Sequence, residues 1–332
     1  MTAQIEAFPS KKPSRAEVAA LYGRPLLDLI FQAAQVHRAH HNPREIQMCR
    51  LLSIKTGGCP EDCKYCSQSV HNGTELKKEP LMQVDAILEQ ARAAKEGGAT
   101  RFCMGAAWRE VKDGRAFERV LEAVRGVRAL GLEACVTLGM LNDDQAVRLK
   151  EAGLTAYNHN LDTSEKHYAN IVSTHTYQDR LRTLQSVSKA GISACCGGIM
   201  GMGETDEDRI DFLHTLAGLD PQPESVPINA LVPVSGTPLE AASALNVFAW
   251  LRVIAVARIL MPKAMVRLSA GRLALSQEAQ ALAFLAGANA IFTGDKLLTT
   301  PNPEADVDGN LMQALSLVPR PPDKEEPARA HA

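Results

Sequence analysis

The sequence predicts an α/β protein, a complete (β/α)8 barrel of the TIM type preceded by an N-terminal helical extension, and three observations carry the prediction. From about Met48 onward, short β-rich runs alternate with amphipathic helical segments, the order of a parallel sheet with helical crossovers. The pattern recurs at intervals of roughly thirty residues, the length of one βα unit. Eight such units can be counted, and eight is the number that closes into a barrel. Periodicity alone does not demonstrate closure, so an open doubly wound sheet is the alternative.

The extension covers residues 1–47. After a polar leader, Ser14 followed three residues later by Glu17 forms a capping box, and Leu26, Leu27, Leu29, Ile30 and Ala33 keep helical spacing towards His40. The strands are expected, in order, at 49–55, 100–106, 133–138, 156–161, 193–200, 226–232, 265–269 and 290–293. Helices are expected between them at 84–96, 117–130, 144–152, 177–190, 207–219, 247–260 and 277–286. Gly131, Gly153 and Gly191 stand where three of these helices need a left-handed cap. The barrel is expected over 48–318, and the Pro-rich, charged run 319–332 as a disordered tail.

With 332 residues, 45 % hydrophobic and 5 % aromatic, the chain can bury one large core. A net charge of -2 without Lys/Arg blocks gives no footprint for nucleic acid or an anionic membrane, and no apolar stretch approaches a bilayer span. Small-molecule partners are therefore expected. Residues 1–13 lack the apolar segment of a secretory signal and include Glu6, which suits neither export nor a transit peptide, so the cytoplasm is expected. In that compartment eight cysteines are reduced and available for metal binding or catalysis.

Three of them, Cys59, Cys63 and Cys66, crowd into the run Gly57-Gly58-Cys59-Pro60-Glu61-Asp62-Cys63-Lys64-Tyr65-Cys66, just after the first strand. Soft thiolates suit zinc or iron-sulfur clusters, and three of them leave one coordination position open. A zinc loop would need a fourth ligand such as His71. The C-x3-C-x2-C spacing with Tyr65 before the last cysteine resembles the signature of the radical S-adenosylmethionine superfamily. That resemblance implies a [4Fe-4S] cluster on the three thiolates, its fourth iron chelated by the amino and carboxylate groups of S-adenosyl-L-methionine. It also implies reductive cleavage of that cosubstrate to methionine and a 5'-deoxyadenosyl radical able to take hydrogen from unactivated carbon, with the protein orienting the cofactor and excluding competing reactants.

Cys103, Cys135, Cys195 and Arg267 fall in the second, third, fifth and seventh predicted strands, separated by 32, 60 and 72 residues. Equivalent positions on barrel strands meet in the interior. Buried cysteines are often plain core hydrophobes, but three of them with a strand arginine are unusual, because a buried guanidinium needs anionic partners. The runs from Arg101 to Trp108, Tyr157 to Thr163 and Val266 to Arg272 narrow the resemblance to a sulfur-inserting branch of the superfamily, over about residues 50–302. The resemblance implies that Cys103, Cys135, Cys195 and Arg267 hold a [2Fe-2S] cluster whose bridging sulfide is donated to dethiobiotin, the final step of biotin biosynthesis. The enzyme would then be a sulfurtransferase consuming two S-adenosylmethionine molecules, each of the two hydrogen abstractions at saturated carbon requiring one. It further implies an electron donor such as flavodoxin or ferredoxin, rebuilding of the cluster by iron-sulfur assembly machinery, and a homodimer. Cys196 beside Cys195 must face the other way in a strand; Cys195 is taken from the family pattern.

By the same resemblance Tyr65, Ala106, Asn160, Asp162, Ile199 and Val232 contact S-adenosylmethionine, and Asn160 and Asn229 contact dethiobiotin. Read by themselves, Asn158, Asn160 and Asp162 alternate with Tyr157, His159 and Leu161 and so share one face. Asp162 or Thr163 is also a plausible cap, as is Thr205 with Asp208. No acid–base side chain is expected to be catalytic, since radical abstraction needs none, and His159 reads as a packed histidine. The loop after Cys66 and Ala230 depart from the family pattern and affect pocket details. A lyase or mutase of the same superfamily, or a non-catalytic zinc scaffold, are the competing readings.

Overall fold

The computed structural model describes residues 12–321. Helix α1 (Arg15–Tyr22) starts on the expected capping box of Ser14 and Glu17. The helical run does not continue unbroken to His40: it stops at Gly23 and resumes after Pro25 as α2 (Leu26–His40). Pro25 has no N–H to donate and drives Arg24 out of helical geometry, which the apolar spacing could not register.

The barrel follows as β1 (Glu45–Lys55), α3 (Val84–Glu96), β2 (Arg101–Ala106), α4 (Arg115–Ala129), β3 (Glu133–Thr137), α5 (Asp143–Glu151) and β4 (Ala156–Asn158). Then come α6 (Glu165–Tyr168), α7 (Tyr177–Lys189), β5 (Ser193–Cys195), β6 (Gly198–Met200), α8 (Asp206–Gly218) and β7 (Ser225–Ala230). The last turns are α9 (Val247–Leu260), β8 (Met265–Leu268), α10 (Gln277–Leu285) and β9 (Ala290–Thr293). Each strand pairs in parallel with the next, β5 and β6 sharing the fifth position, and β9 returns to pair with β1. The sheet is a closed barrel, as predicted, and not an open one.

Period-2 alternation decides what faces where. In β2, Phe102 and Met104 pack outward against the helices, beside the α4 stripe Phe117, Val120, Leu121, Val124 and Val127. Cys103 points the other way, into a small interior cluster with Cys49, Cys135, Ala156 and Phe292.

Two expected strands are cut short for one reason. The fifth, expected over 193–200, is interrupted because Gly197 lies against β7: a Cβ there would sit 1.9 Å from the carbonyl oxygen of Pro227. Pro227 itself has no N–H for the ladder. The fourth, expected over 156–161, loses its regular partner at the same level. Its chain still donates from His159 to the Cys195 carbonyl at 2.9 Å and from Leu161 to that of Gly197 at 3.0 Å, then turns at Asp162 with φ 66°.

The C-terminal part adds elements that no periodicity announced. They are the hairpin β10 (Lys296–Leu297) and β11 (Thr300–Pro301), the helix α11 (Ala305–Ala314) and the strand β12 (Val318–Pro319). The last pairs with Glu45 and Ile46 of β1, and Arg320 donates to the Ile46 carbonyl at 2.8 Å. Pairing thus extends past 318 into the run expected as a tail, and β1 begins three residues before the expected barrel start at 48. The rest of that run from 322, and the leader as far as residue 11, lie outside the described residues. Among the described residues no helix is long and apolar enough to cross a membrane.

Gly197→Ala is expected to lower stability by about 1–3 kcal/mol in urea unfolding, the cost of overpacking a site with no room. A native-like midpoint would contradict the close approach to Pro227.

Candidate active site

A cavity of about 330 Å³ lies at the C-terminal end of the barrel. Its walls contain Cys59, Cys63 and Cys66, then Cys103, Cys135, Cys195 and Arg267, and also Tyr65, Ala106, Asn160, Asp162, Ile199, Asn229 and Val232. Every residue expected at the site therefore faces one chamber.

The cysteine loop leaves β1 through Gly57 and Gly58, both at φ +67°, a backbone region that side chains disfavour. It is pinned on several sides. Asp62 accepts from the backbone N–H groups of Ser173 at 2.9 Å and Thr174 at 3.2 Å. Asn72 donates to the carbonyls of Cys63 at 3.1 Å and Cys66 at 2.8 Å, and Cys59 bridges to the strand-like segment at Ser69. Burial pushes all three thiols up, Cys66 to about 11, so they need a metal or cation to ionise near neutrality. His71 is exposed, lies outside the cavity wall and sits against the Pro60 carbonyl at 3.1 Å.

Deeper in the barrel, Cys103 and Cys135 face each other in register on β2 and β3, and the thiols of Cys103, Cys135 and Cys195 lie close enough to perturb one another. Arg267 on β8, fully buried, points Nη1 at the Cys195 sulfur at 3.5 Å, and its Nε has no partner. The Phe292 ring covers the guanidinium at 5.0 Å. Cys196, also buried, packs in the outer core. Three neighbouring thiols beside a cation with an unused donor suit an anionic sulfur-bridged cluster.

One residue pair further towards the N-terminal end of the strands, the same inward face carries charge. Arg101 is only 2 % exposed and donates Nε to Glu133 at 2.6 Å. It also grips Glu224 through Nη1 and Nη2, both at 3.0 Å. Gln47 spans from Arg267 to Glu133.

Around the upper wall, Tyr65 donates its hydroxyl to Asp162 at 2.9 Å, and Arg180 reaches the same Oδ2 at 3.2 Å. Burial raises the Asp162 pKa, while Arg180 and the Tyr65 hydroxyl oppose the rise. Asn160 accepts from the Gly197 N–H at 3.1 Å and from Asn158 at 3.1 Å. Asn229 donates to the Gly198 carbonyl at 3.0 Å and accepts from the Ala270 N–H at 3.1 Å. His159 is buried in the cavity wall with Nε2 unpartnered, and burial favours its neutral form.

Several cavity residues escaped the sequence. Arg180 sits on α7, where a helical arginine reads as solvent-facing, yet its Nε reaches Tyr168 at 2.8 Å. Glu61 lies inside the cysteine motif and accepts from His175 Nδ1 at 2.6 Å. Leu297, Leu298, Thr299 and Thr300 of the hairpin roof the chamber, and Thr299 meets Ser67 of the cysteine loop at 2.7 Å. Only Glu61 carried a signal, a carboxylate between two ligand cysteines.

Comparison with known proteins places this geometry. Residues 53–216 match the family model of the Radical SAM superfamily, and residues 227–318 match the Biotin and Thiamin Synthesis associated domain. The fold and the cysteine-lined chamber are those of a radical S-adenosylmethionine barrel enzyme. Among curated relatives, the biotin synthase of Gloeobacter violaceus is 59 % identical over 305 residues, covering 92 % of this chain and 96 % of the relative. That of Sorangium cellulosum is 61 % identical over 313 residues (94 % and 90 %), and the mitochondrial biotin synthase of Arabidopsis thaliana 56 % over 323 residues (97 % and 85 %). The chain belongs to the biotin synthase family, whose chemistry uses S-adenosylmethionine and iron-sulfur centres. Among solved structures, methylornithine synthase superposes with TM-score 0.76 at 18 % identity, covering 94 % of this chain and 95 % of that one. The FeFe-hydrogenase maturase HydG of Carboxydothermus hydrogenoformans gives 0.74 at 16 %, covering 93 % and 76 %; both likenesses show the fold alone.

Replacing Arg101 by Leu leaves Glu133 and Glu224 without their cation and is expected to destabilise the barrel by about 3–5 kcal/mol in urea unfolding. Loss of less than about 1 kcal/mol would mean that the floor network is solvated and weak.

Proposed function

We propose that this chain carries out the biotin synthase reaction on dethiobiotin, with the work divided between two depths of one chamber. Cys59, Cys63 and Cys66 would hold a [4Fe-4S] cluster at the mouth, and Cys103, Cys135, Cys195 and Arg267 a [2Fe-2S] cluster below it. When bound, the outer cluster with S-adenosylmethionine supplies one-electron hydrogen abstraction from saturated carbon, and the inner one supplies sulfide. The observation that carries this reading is that two thiol sets line the same cavity, an outer one in which Cys59 and Cys66 are partly exposed and an inner one that is fully buried.

The chain's own groups have capacity left for the two organic ligands. Asp162 engages Tyr65 and Arg180 through Oδ2, which leaves Oδ1 to accept from ribose hydroxyls. Asn160 accepts through its oxygen, so its NH2 can still donate towards ribose or substrate. Asn229 keeps one N–H and one lone pair, the complement of a cyclic urea. Tyr65, Ala106, Ile199 and Val232 would supply the contacts around the adenosyl group, and Leu297 and Leu298 of the hairpin add an apolar edge to the chamber. An electron donor of the flavodoxin or ferredoxin type, iron-sulfur assembly machinery that rebuilds the inner cluster, a cytoplasmic setting and a homodimer complete the proposal.

Anaerobic reconstitution followed by single turnover with dethiobiotin and a reductant tests it. Cys135→Ser is expected to lose the [2Fe-2S] absorption and biotin formation together; biotin formed at the native rate without that absorption would overturn the donor assignment. Asp162→Asn is expected to weaken S-adenosylmethionine binding by about tenfold in calorimetry, the loss of one charged hydrogen bond.

A further inference from the structure

Gln47 on β1 is 2 % exposed and touches more of the barrel floor than any catalytic role assigned so far requires. Its side-chain oxygen accepts Nη2 of Arg267 at 3.0 Å and the thiol of Cys49 at 3.6 Å. Its NH2 donates to Glu133 at 3.2 Å. The amide can stand only one way round, since oxygen must face the guanidinium and nitrogen the carboxylate.

No carboxylate among the described residues lies within ion-pair distance of Arg267; Glu133 and Glu224 both close on Arg101 instead. Apart from the cysteine sulfur, Gln47 is thus the group that fixes the guanidinium in its plane against Phe292. A glutamate in this place would still offer an oxygen to Arg267, but it would set a second carboxylate against Glu133 and, ionised, would cancel the guanidinium charge. An amide holds it and leaves the charge available, which a thiolate-bound cluster in a dry interior needs for compensation.

We propose that Gln47 is the positioning residue of the inner cluster site, an amide clamp that aims Arg267 at Cys195 while leaving its positive charge unneutralised. The clamp also accounts for Cys49, whose thiol is engaged with the Gln47 oxygen and does not line the cavity shared by the other three interior cysteines. The proposal rests on the assignment of Cys103, Cys135, Cys195 and Arg267 to one cluster.

The test uses the full chain reconstituted anaerobically with iron and sulfide, as the native form, Gln47→Met, Gln47→Glu and Cys135→Ser. Thermal unfolding, visible absorption, the reduction potential of the inner cluster and the rate of iron loss to a chelator are read for each. Gln47→Met is expected to release inner-cluster iron about tenfold faster than the native chain, the scale of losing an outer-shell partner, with the outer cluster unchanged. Gln47→Glu, which restores the acceptor, is expected to retain its iron better than Gln47→Met but to shift the inner potential to more negative values, because net charge sets that potential. If Cys135→Ser keeps the inner-cluster absorption, the cluster assignment itself is wrong. If Cys135→Ser loses it while both Gln47 variants match the native chain in iron loss and potential, the clamp is wrong. Should Gln47→Met fail to fold, Gln47→Asn, which keeps the amide but is one methylene too short to reach both Arg267 and Glu133, takes its place, and native iron loss in it overturns the proposal.

Discussion

The hydrogen bonds between β1 and β9, in register from Gln47 with Ala290 to Arg50 with Thr293, turn a row of strands into a ring, and the interior chemistry depends on them. Cys103 and Cys135 would be neighbours in any parallel sheet with this strand order. Arg267 would not: β8 stands next to the far end of the row from β1, and only the ring closure through β9 sets it against Gln47. Side-chain alternation then does the rest. Gln47 and Cys49, Arg101 and Cys103, Glu133 and Cys135 are each two residues apart, so each pair shares the inward face and the charged layer lies directly below the thiols.

Among the described residues four arginines are almost wholly buried, and the way each is compensated separates structure from function. Arg101 has two carboxylates and Arg272 has Asp308 at 2.7 Å. Arg258 has no carboxylate but saturates its donors with the carbonyls of Gly287 and Ala264 and with Asn289, and burial pulls its pKa down to about 9. Arg272 also leaves Nε unpartnered but has its carboxylate, whereas Arg267 combines an unpartnered Nε with no carboxylate and spends its other contacts on a thiol and a neutral amide. A buried cation left in that condition is costly unless something anionic completes it. The cavity places the three neighbouring thiols where that completion would come from.

Much of this was legible in the chain because it rests on period and spacing. The βα repeat, the cysteine triplet and the strand positions of Cys103, Cys135, Cys195 and Arg267 are patterns that survive without coordinates. What stayed hidden has physical reasons. The break at Gly197 depends on a backbone contact with Pro227 thirty residues away, which no local pattern reports. Strands of two residues, as in β10, β11 and β12, are too short for alternation to appear. Arg180 reads as an ordinary helix-surface residue and Gln47 falls in the expected N-terminal extension; they become site residues only through partners distant in sequence, Asp162 for one and Arg267 for the other.

The C-terminal third of the chain does more than add mass to the barrel. β9 closes the ring, β12 lies on the other edge of β1 at Glu45 and Ile46, and the β10–β11 hairpin covers the mouth. The cover is fitted to what lies beneath: Gly105 at the end of β2 has no side chain, and a Cβ there would come within 2.6 Å of Leu298. The hairpin is also tied to the cysteine loop through Thr299 and Ser67. One segment thus braces the first strand, shuts the sheet and roofs the chamber. Chemistry that must be kept from water and solvent hydrogen gains from both features, so the ring closure and the hairpin over the mouth serve the same requirement.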